Sequence, residues 1–182
     1  MVRHAAAGAL LAGFLVIPAS STHVAAQSRP LATHEVEAAY LYQIGRYVEW
    51  PADQRWESDT FFICVLGADP FGSALDEIVK GKVIAGQPVA PKRILGPSES
   101  QDCRILFVSP SEEGRLPMIL QALEGTGTVT VSRGPQFTRR GGMIAFVNDD
   151  RKVRFVVNLA AAKKARLQLS SQLLRVAISV DQ

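Results

Sequence analysis

The sequence predicts a single α/β domain in which helices cover a largely parallel β-sheet. Residues 61–66 and 104–108 are short and almost wholly apolar runs, which is the pattern of strands buried on both faces. Residues 128–132 form a third, β-branched strand. Helical patterns separate these strands, and such an alternation is typical of a parallel sheet.

A β-hairpin is predicted to follow, because the apolar strands 143–147 and 153–157 flank the polar segment 148–152. Asn158 then caps an alanine-rich helix, and Ser170 begins a second helical segment. The fold class is therefore α/β, with a parallel sheet, covering helices and a C-terminal β-hairpin.

An amphipathic helix is predicted over residues 33–50, before the first strand. Thr33 is its predicted N-cap, and Pro51 ends it. Its apolar stripe, at four-residue spacing, consists of Val36, Tyr40, Ile44 and Val48.

The segments between the three strands carry helix and turn signals. Asp69 and Pro70 are predicted to open a short helix as its N-cap and first residue. Two short strands are predicted at 82–84 and 89–95, and a helix that begins at Ser111 precedes the third strand.

The first 26 residues have the organisation of a cleavable export signal. A short basic head precedes the apolar run 5–19, which is too short to span a bilayer comfortably, and Val24-Ala25-Ala26 suits a signal peptidase. We therefore expect cleavage after Ala26, a Gram-negative periplasmic location and one mature domain over residues 27–182. A retained membrane anchor is the alternative, which the early polar interruption of the apolar run disfavours.

The charge and the cysteines set further bounds on function. The chain carries +3 at pH 7, and the signal removes one charge, Arg3, which leaves about +2 and predicts no nucleic-acid binding. Cys64 and Cys103 are the only cysteines, and an even count in an exported chain favours a disulfide. A redox-active pair is the alternative, although neither residue lies in a Cys-X-X-Cys motif.

Catalytic groups are few. His34 is the only histidine of the mature chain, so a zinc cluster or a Ser-His-Asp triad cannot be assembled around histidines. Carboxylates that are adjacent in sequence, such as Asp76 and Glu77, point in different directions on a helix. The sequence therefore predicts neither an enzyme nor a cofactor site.

A ligand crevice is one interpretation of residues 67–72. The segment joins the carboxyl end of a predicted strand to a helix, where open α/β sheets form crevices and backbone N–H groups face anions. Its candidate contacts are Gly67, Asp69, Phe71 and Gly72. A tight turn followed by a capped helix is the alternative interpretation.

Aromatic side chains are concentrated in and just after the first helix. Because Tyr42, Tyr47 and Trp50 cannot all share the face of the apolar stripe, they are candidates for a partner surface. We expect this surface to include Leu173 and Leu174 of the last helical segment. Core packing of the aromatic residues is the alternative.

Several segments in the same order resemble the YfiR family of periplasmic regulators. The resemblance covers nearly all of the mature chain and is carried by residues 38–42, 47–51, 64–72, 103–108, 141–155, 158–162 and 170–174.

This resemblance implies a small α/β protein, often a homodimer, that binds the periplasmic sensor domain of an inner-membrane diguanylate cyclase and represses it. It also implies an outer-membrane lipoprotein that can sequester the repressor, and a structural disulfide between Cys64 and Cys103. The second cysteine pair of some relatives is missing here. Two alternatives stay open: another membrane partner, such as a sensor histidine kinase, and a small-molecule sensor that uses the crevice at residues 67–72.

Overall fold

The apolar runs of the sequence form the centre of a mixed, mostly parallel sheet. The computed structural model describes residues 31–150 and 152–181, so the predicted signal and its cleavage site lie outside the described residues. The described strands are β1 (Val48–Glu49), β2 (Phe61–Leu66), β3 (Val83–Ile84), β4 (Gln87–Ile94), β5 (Cys103–Val108), β6 (Val129–Arg133), β7 (Ile144–Asp149), β8 (Lys152–Asn158), β9 (Gln168–Leu169) and β10 (Ser179–Asp181). The described α-helices are α1 (Thr33–Arg46), α2 (Ser73–Val79), α3 (Leu116–Ala122), α4 (Gln136–Arg139), α5 (Leu159–Lys164) and α6 (Ser171–Val176).

Eight of these strands form one sheet in the order β10-β8-β7-β6-β5-β2-β4-β3. The pairings of β2 with β4 and β5, of β5 with β6, and of β6 with β7 are parallel. The predicted hairpin is the antiparallel pair β7 and β8, and β3 with β4 forms a second one. The predicted α/β class, with its parallel sheet, covering helices and C-terminal hairpin, is confirmed.

Helices cover both faces of the sheet. Side chains from α1, α2, α5 and α6 pack into one buried cluster, and those from α3 and α4 pack into another. The chain moves from β2 to β4 on one side and then returns to β5 on the other side of β2. The topological switch point, where open α/β sheets place ligands, therefore lies between β2 and β5.

The first helix is shorter than predicted. It ends at Arg46 because Val48 and Glu49 pair as strand β1 with Leu169 and Gln168 of β9. Its N-cap is Ala32 instead of the predicted Thr33, and its buried face is rotated from the predicted stripe. That face consists of Glu37, Ala38, Leu41, Ile44 and Gly45.

The start of the second helix also differs from the prediction. Helix α2 begins at Ser73, and Asp69 is not its N-cap. The Asp69 carboxylate instead accepts a hydrogen bond of 2.8 Å from the Phe71 N–H in a turn of its own. The two later caps are confirmed, since Asn158 Oδ1 accepts from the Ala161 N–H and Ser170 Oγ accepts from the Leu173 N–H.

A disulfide joins Cys64 of β2 to Cys103 of β5, with the two Cα atoms 5.7 Å apart. It therefore links the two strands that flank the topological switch point. Both cysteines are 0% exposed, so an external thiol or oxidant cannot reach either sulfur in the folded protein. This burial favours a structural cross-link over a redox-active pair.

Candidate functional site

At its Gly67 end, the predicted ligand loop at residues 67–72 packs against the segment after β5. Gly67 adopts a φ of +89°, and a Cβ placed there would lie 2.6 Å from Ser111 Oγ. The same hydroxyl oxygen accepts a hydrogen bond of 3.0 Å from the Ala68 N–H. Gly67 is thus required by its backbone conformation and by the close approach of the segment after β5.

Arg93 of β4 engages the rest of this loop. Its guanidinium donates to the Asp69 carboxylate at 2.9 Å, to the Gly72 carbonyl at 2.7 Å and to the Asp76 carboxylate at 2.5 Å. Phe71 is 2% exposed and packs in the core. The Asp69 carboxylate and the Gly72 carbonyl therefore already have partners within the protein.

A cavity of about 710 Å³ lies beside the loop, at the carboxyl edge of the sheet. We call it the ion-pair cavity, after Glu37 of α1 and Arg133 at the end of β6, which line it. Pro70 reaches it from the loop, and His34 lines it from α1. Its volume is typical of small-molecule pockets. The cavity lies beside β6 and β7 and not at the switch point between β2 and β5, and its charged groups are not those of residues 67–72.

The ion pair connects α1 to β6. Arg133 Nε lies 3.0 Å from each oxygen of the Glu37 carboxylate, and a second guanidinium nitrogen lies 2.5 Å from one of them. The Glu37 side chain is 4% exposed and that of Arg133 is 35% exposed. Removing one member of a fully buried pair leaves an uncompensated charge and costs roughly 3–5 kcal/mol. The cost is smaller for this pair, because Arg133 is partly exposed.

A second concave surface lies between the end of α1 and the β3–β4 hairpin. We call it the aromatic groove; its volume is about 700 Å³ and its principal walls are Trp50, Trp56, Phe61, Val83 and Arg104. Trp50 and Phe61 contact edge to face, with ring centroids 5.5 Å apart. The Trp50 indole N–H donates to the Gly127 carbonyl at 2.8 Å, which fixes the ring at the wall. Trp50, one of the three aromatic residues predicted at a partner surface, thus lines this groove.

Two segments that carry the other predicted surface residues lie next to each other in the fold. The Ser170 N–H donates to the Tyr47 carbonyl at 2.9 Å, so the end of α1 lies next to the start of α6. Tyr42, Tyr47 and Leu174 are partly buried against the core.

Leu173 differs from them, because it is 3% exposed and is a core side chain. It cannot contact a partner directly. Val176 and Ile178, which are 51% and 43% exposed, are the large apolar side chains that this part of the chain presents to solvent.

The described residues contain no group of three or more histidine, cysteine, aspartate and glutamate side chains placed to hold a metal ion. Among the same residues, no helix combines the length and apolarity that crossing a membrane requires.

The fold and these surfaces define an α/β domain with two concave surfaces and a buried disulfide. Residues 34–178 match the YfiR/HmsC-like family, and the chain belongs to this family. Members of the family are periplasmic and regulatory. Family membership therefore supports a periplasmic regulatory protein.

Solved structures share the fold at low identity. A conserved domain protein from Vibrio cholerae O1 biovar El Tor is 12% identical with a TM-score of 0.56, over 83% of this chain and 61% of that protein. An ABC domain from Streptococcus pneumonia, solved in complex with L-Trp, is 11% identical with a TM-score of 0.52, over 79% of this chain and 60% of that protein. The chain thus spans about three fifths of each of these structures. No curated protein matches the chain.

Proposed function

We propose that this chain is a periplasmic regulator that binds the periplasmic sensor domain of an inner-membrane diguanylate cyclase and represses it. Family membership supports the regulatory role. The observation that carries the binding proposal is the aromatic groove beside the contact between α1 and α6. Aromatic and arginine side chains are enriched in protein interfaces, and Trp50, Trp56 and Arg104 all line this groove.

The mechanism follows from linkage between binding and conformation. The substrate and product of a diguanylate cyclase are cytoplasmic, so an exported regulator acts through a membrane-spanning partner. Repression then requires tighter binding to the inactive arrangement of the sensor domain than to the active one. A shift from 99% active to 99% inactive needs about a 10⁴-fold difference in affinity.

A matched pair of surface substitutions tests the position of the interface. Val83 of β3 lines the aromatic groove, and Met118 lies in α3, which covers the opposite face of the sheet; they are 54% and 49% exposed. We expect Val83→Asp to weaken binding to the purified sensor domain at least tenfold and Met118→Asp to leave it unchanged. Equal affinities of the two variants would refute this position.

Two further partners are proposed from the family resemblance: a second copy of the chain, and an outer-membrane lipoprotein that sequesters the regulator. Light scattering coupled to size-exclusion chromatography measures the first. A mass of one chain at micromolar concentration would contradict the homodimer.

A small-molecule sensor is the second candidate function, and the ion-pair cavity favours it. The cavity combines a volume of about 710 Å³ with a charged pair that a ligand can contact. Thermal-shift screening against envelope metabolites tests it, because a ligand at 100 times its Kd adds about 2.7 kcal/mol to the free energy of unfolding. A hit that Arg133→Gln abolishes would support this function, and the absence of any hit would count against it.

A further inference from the structure

A further cavity, of about 550 Å³, lies at the edge of the sheet opposite to the ion-pair cavity. Thr128 and Met143, which line it, directly precede the parallel strands β6 and β7. Arg133, which lines the ion-pair cavity, is the last residue of β6. We therefore call the further cavity the amino-edge cavity. Its volume is typical of small-molecule pockets.

The amino-edge cavity lies between the two helix layers. Helix α3 packs on one face of the sheet and helix α5 on the other, and residues in or next to both helices line the cavity. Burial of a hydrocarbon group against apolar walls is favourable, because it removes apolar surface from water. The apolar side chains of the lining are Leu120, Leu123, Met143, Ala160, Ala161 and Ala165.

The polar side chains among these walls already bind other parts of the protein. The Thr130 hydroxyl oxygen accepts a hydrogen bond of 3.1 Å from the Met143 N–H. The Asn158 side chain donates to the Thr138 carbonyl at 3.0 Å and accepts from the Ala161 N–H at 2.9 Å. A polar ligand group buried here without a partner would lose its hydrogen bonds to water, so the interior favours an apolar group.

The charged side chains of the lining lie where the cavity meets solvent. Among the described residues they are Glu124, Arg140 and Lys164, so two of the three are cations. The Lys164 side chain is 73% exposed, and its ammonium group donates to Glu124 at 2.7 Å. An ammonium group has three N–H donors, so Lys164 can bind an incoming anion and keep its contact with Glu124.

We propose that the amino-edge cavity binds a small, free amphiphilic carboxylate, such as a short-chain fatty acid. Its hydrocarbon chain packs against Leu123 and Met143, and its carboxylate binds the exposed Lys164 ammonium group. The excess of cations in the lining selects a carboxylate over an amine. This inference goes beyond the proposed function and does not depend on it.

Three ligands with the same hydrocarbon chain test the choice of head group: octanoate, octylammonium and 1-octanol. In isothermal titration calorimetry, octanoate should bind the unmodified protein saturably with a Kd below about 1 mM. It should bind at least about fivefold more tightly than octylammonium, because an exposed charge contact contributes modestly. The absence of saturable octanoate binding, or octylammonium binding of equal or higher affinity, would overturn the proposal.

A pair of alanine substitutions tests the position of the site. Ala160 of α5 lines the cavity, and Ala122 of α3 lies outside its lining; both residues are exposed, so a larger side chain at either position does not enter the core. Ala160→Phe should weaken octanoate binding at least tenfold, whereas Ala122→Phe should leave it unchanged. Octanoate binding that survives Ala160→Phe at full affinity would overturn this position.

Two adjacent lysines test the carboxylate contact. Lys164 lines the cavity, and the exposed Lys163 beside it does not belong to the lining. Lys164→Gln should weaken octanoate binding about two- to fivefold and leave 1-octanol binding unchanged, whereas Lys163→Gln should change neither affinity. An equal loss of octanoate affinity in the two variants, or no loss in Lys164→Gln, would overturn the role of Lys164.

Vesicles distinguish a free acid from an acyl chain of a lipid surface. With vesicles of phosphatidylglycerol, the protein should remain in the supernatant after sedimentation. Sedimentation with the vesicles that Ala160→Phe abolishes would assign the cavity to a membrane lipid and overturn the assignment to a free acid.

Discussion

Loss of the buried disulfide should have a large effect on stability, and its size can be worked from the structure. Cys64 and Cys103 are 39 residues apart in sequence. The chain-entropy model gives a stabilisation of about 4 kcal/mol for a loop of that length. At a urea m-value of about 2 kcal/mol/M, the unfolding midpoint should fall by about 2 M when the bond is reduced.

Urea titration of the oxidised protein and of the same protein kept reduced measures this difference without creating a core cavity. Because both cysteines are 0% exposed, dithiothreitol should reduce the bond in native buffer only as fast as the protein opens. A stability difference below about 1 kcal/mol would refute the entropic account. Rapid reduction in native buffer would contradict the structural role and favour the redox-active alternative.

Three other substitutions test local features. Gly67→Ala would place a Cβ 2.6 Å from Ser111 Oγ on a backbone with a φ of +89°, so this substitution should lower the free energy of unfolding by about 2 kcal/mol. An unchanged urea midpoint would contradict the close approach. Ala85→Asn should raise stability by roughly 0.5–1 kcal/mol, because Ala85 has a φ of 49° in the β3–β4 turn, and a lower melting temperature would show that reasoning to be wrong. The hydrogen bonds from Arg93 lower the pKa of Asp76 below its ordinary value of 3.8. The pairing of Asp76 with Arg93 therefore stabilises the folded protein fully above pH 3.8, and this stabilisation is lost as the pH falls through the lower pKa that Asp76 has in the folded state. Because this pair is half exposed, Asp76→Asn should lower the free energy of unfolding by at most about 1 kcal/mol at pH 7 and by less at pH 2. An equal loss of stability at both pH values would exclude the pairing.

Local patterns predicted the parts of the fold that local physics determines. The apolar runs of β2 and β5 leave no polar face, so they belong between other strands. Asn158 and Ser170 cap their helices because each side chain reaches an N–H group only three residues ahead.

The parts that sequence reasoning missed depend on distant pairings. Helix α1 ends early because β1 pairs with β9, and β9 itself is too short to give a periodic signal. No strand is predicted from the sequence at residues 179–181, although Val180 of β10 pairs with Val157. Such pairings are determined by tertiary structure and override local propensity.

The charged residues of the candidate sites were hidden for the same reason. Glu37 lies in a helix among other polar residues, and its partner Arg133 is 96 residues away. Arg104 is the second residue of the otherwise apolar strand β5 and is stacked against Trp56, which lies in an irregular segment. Trp50 was identified because clustered aromatic residues exceed what one helix face can bury.

The central claim, repression of a membrane diguanylate cyclase, is tested most directly by cellular cyclic-di-GMP in a strain that lacks this gene. Mass spectrometry should show a higher level than in the parent, and the wild-type chain of residues 1–182, supplied from a plasmid, should restore the parental level. A level unchanged by the deletion under several envelope stresses would contradict the claim.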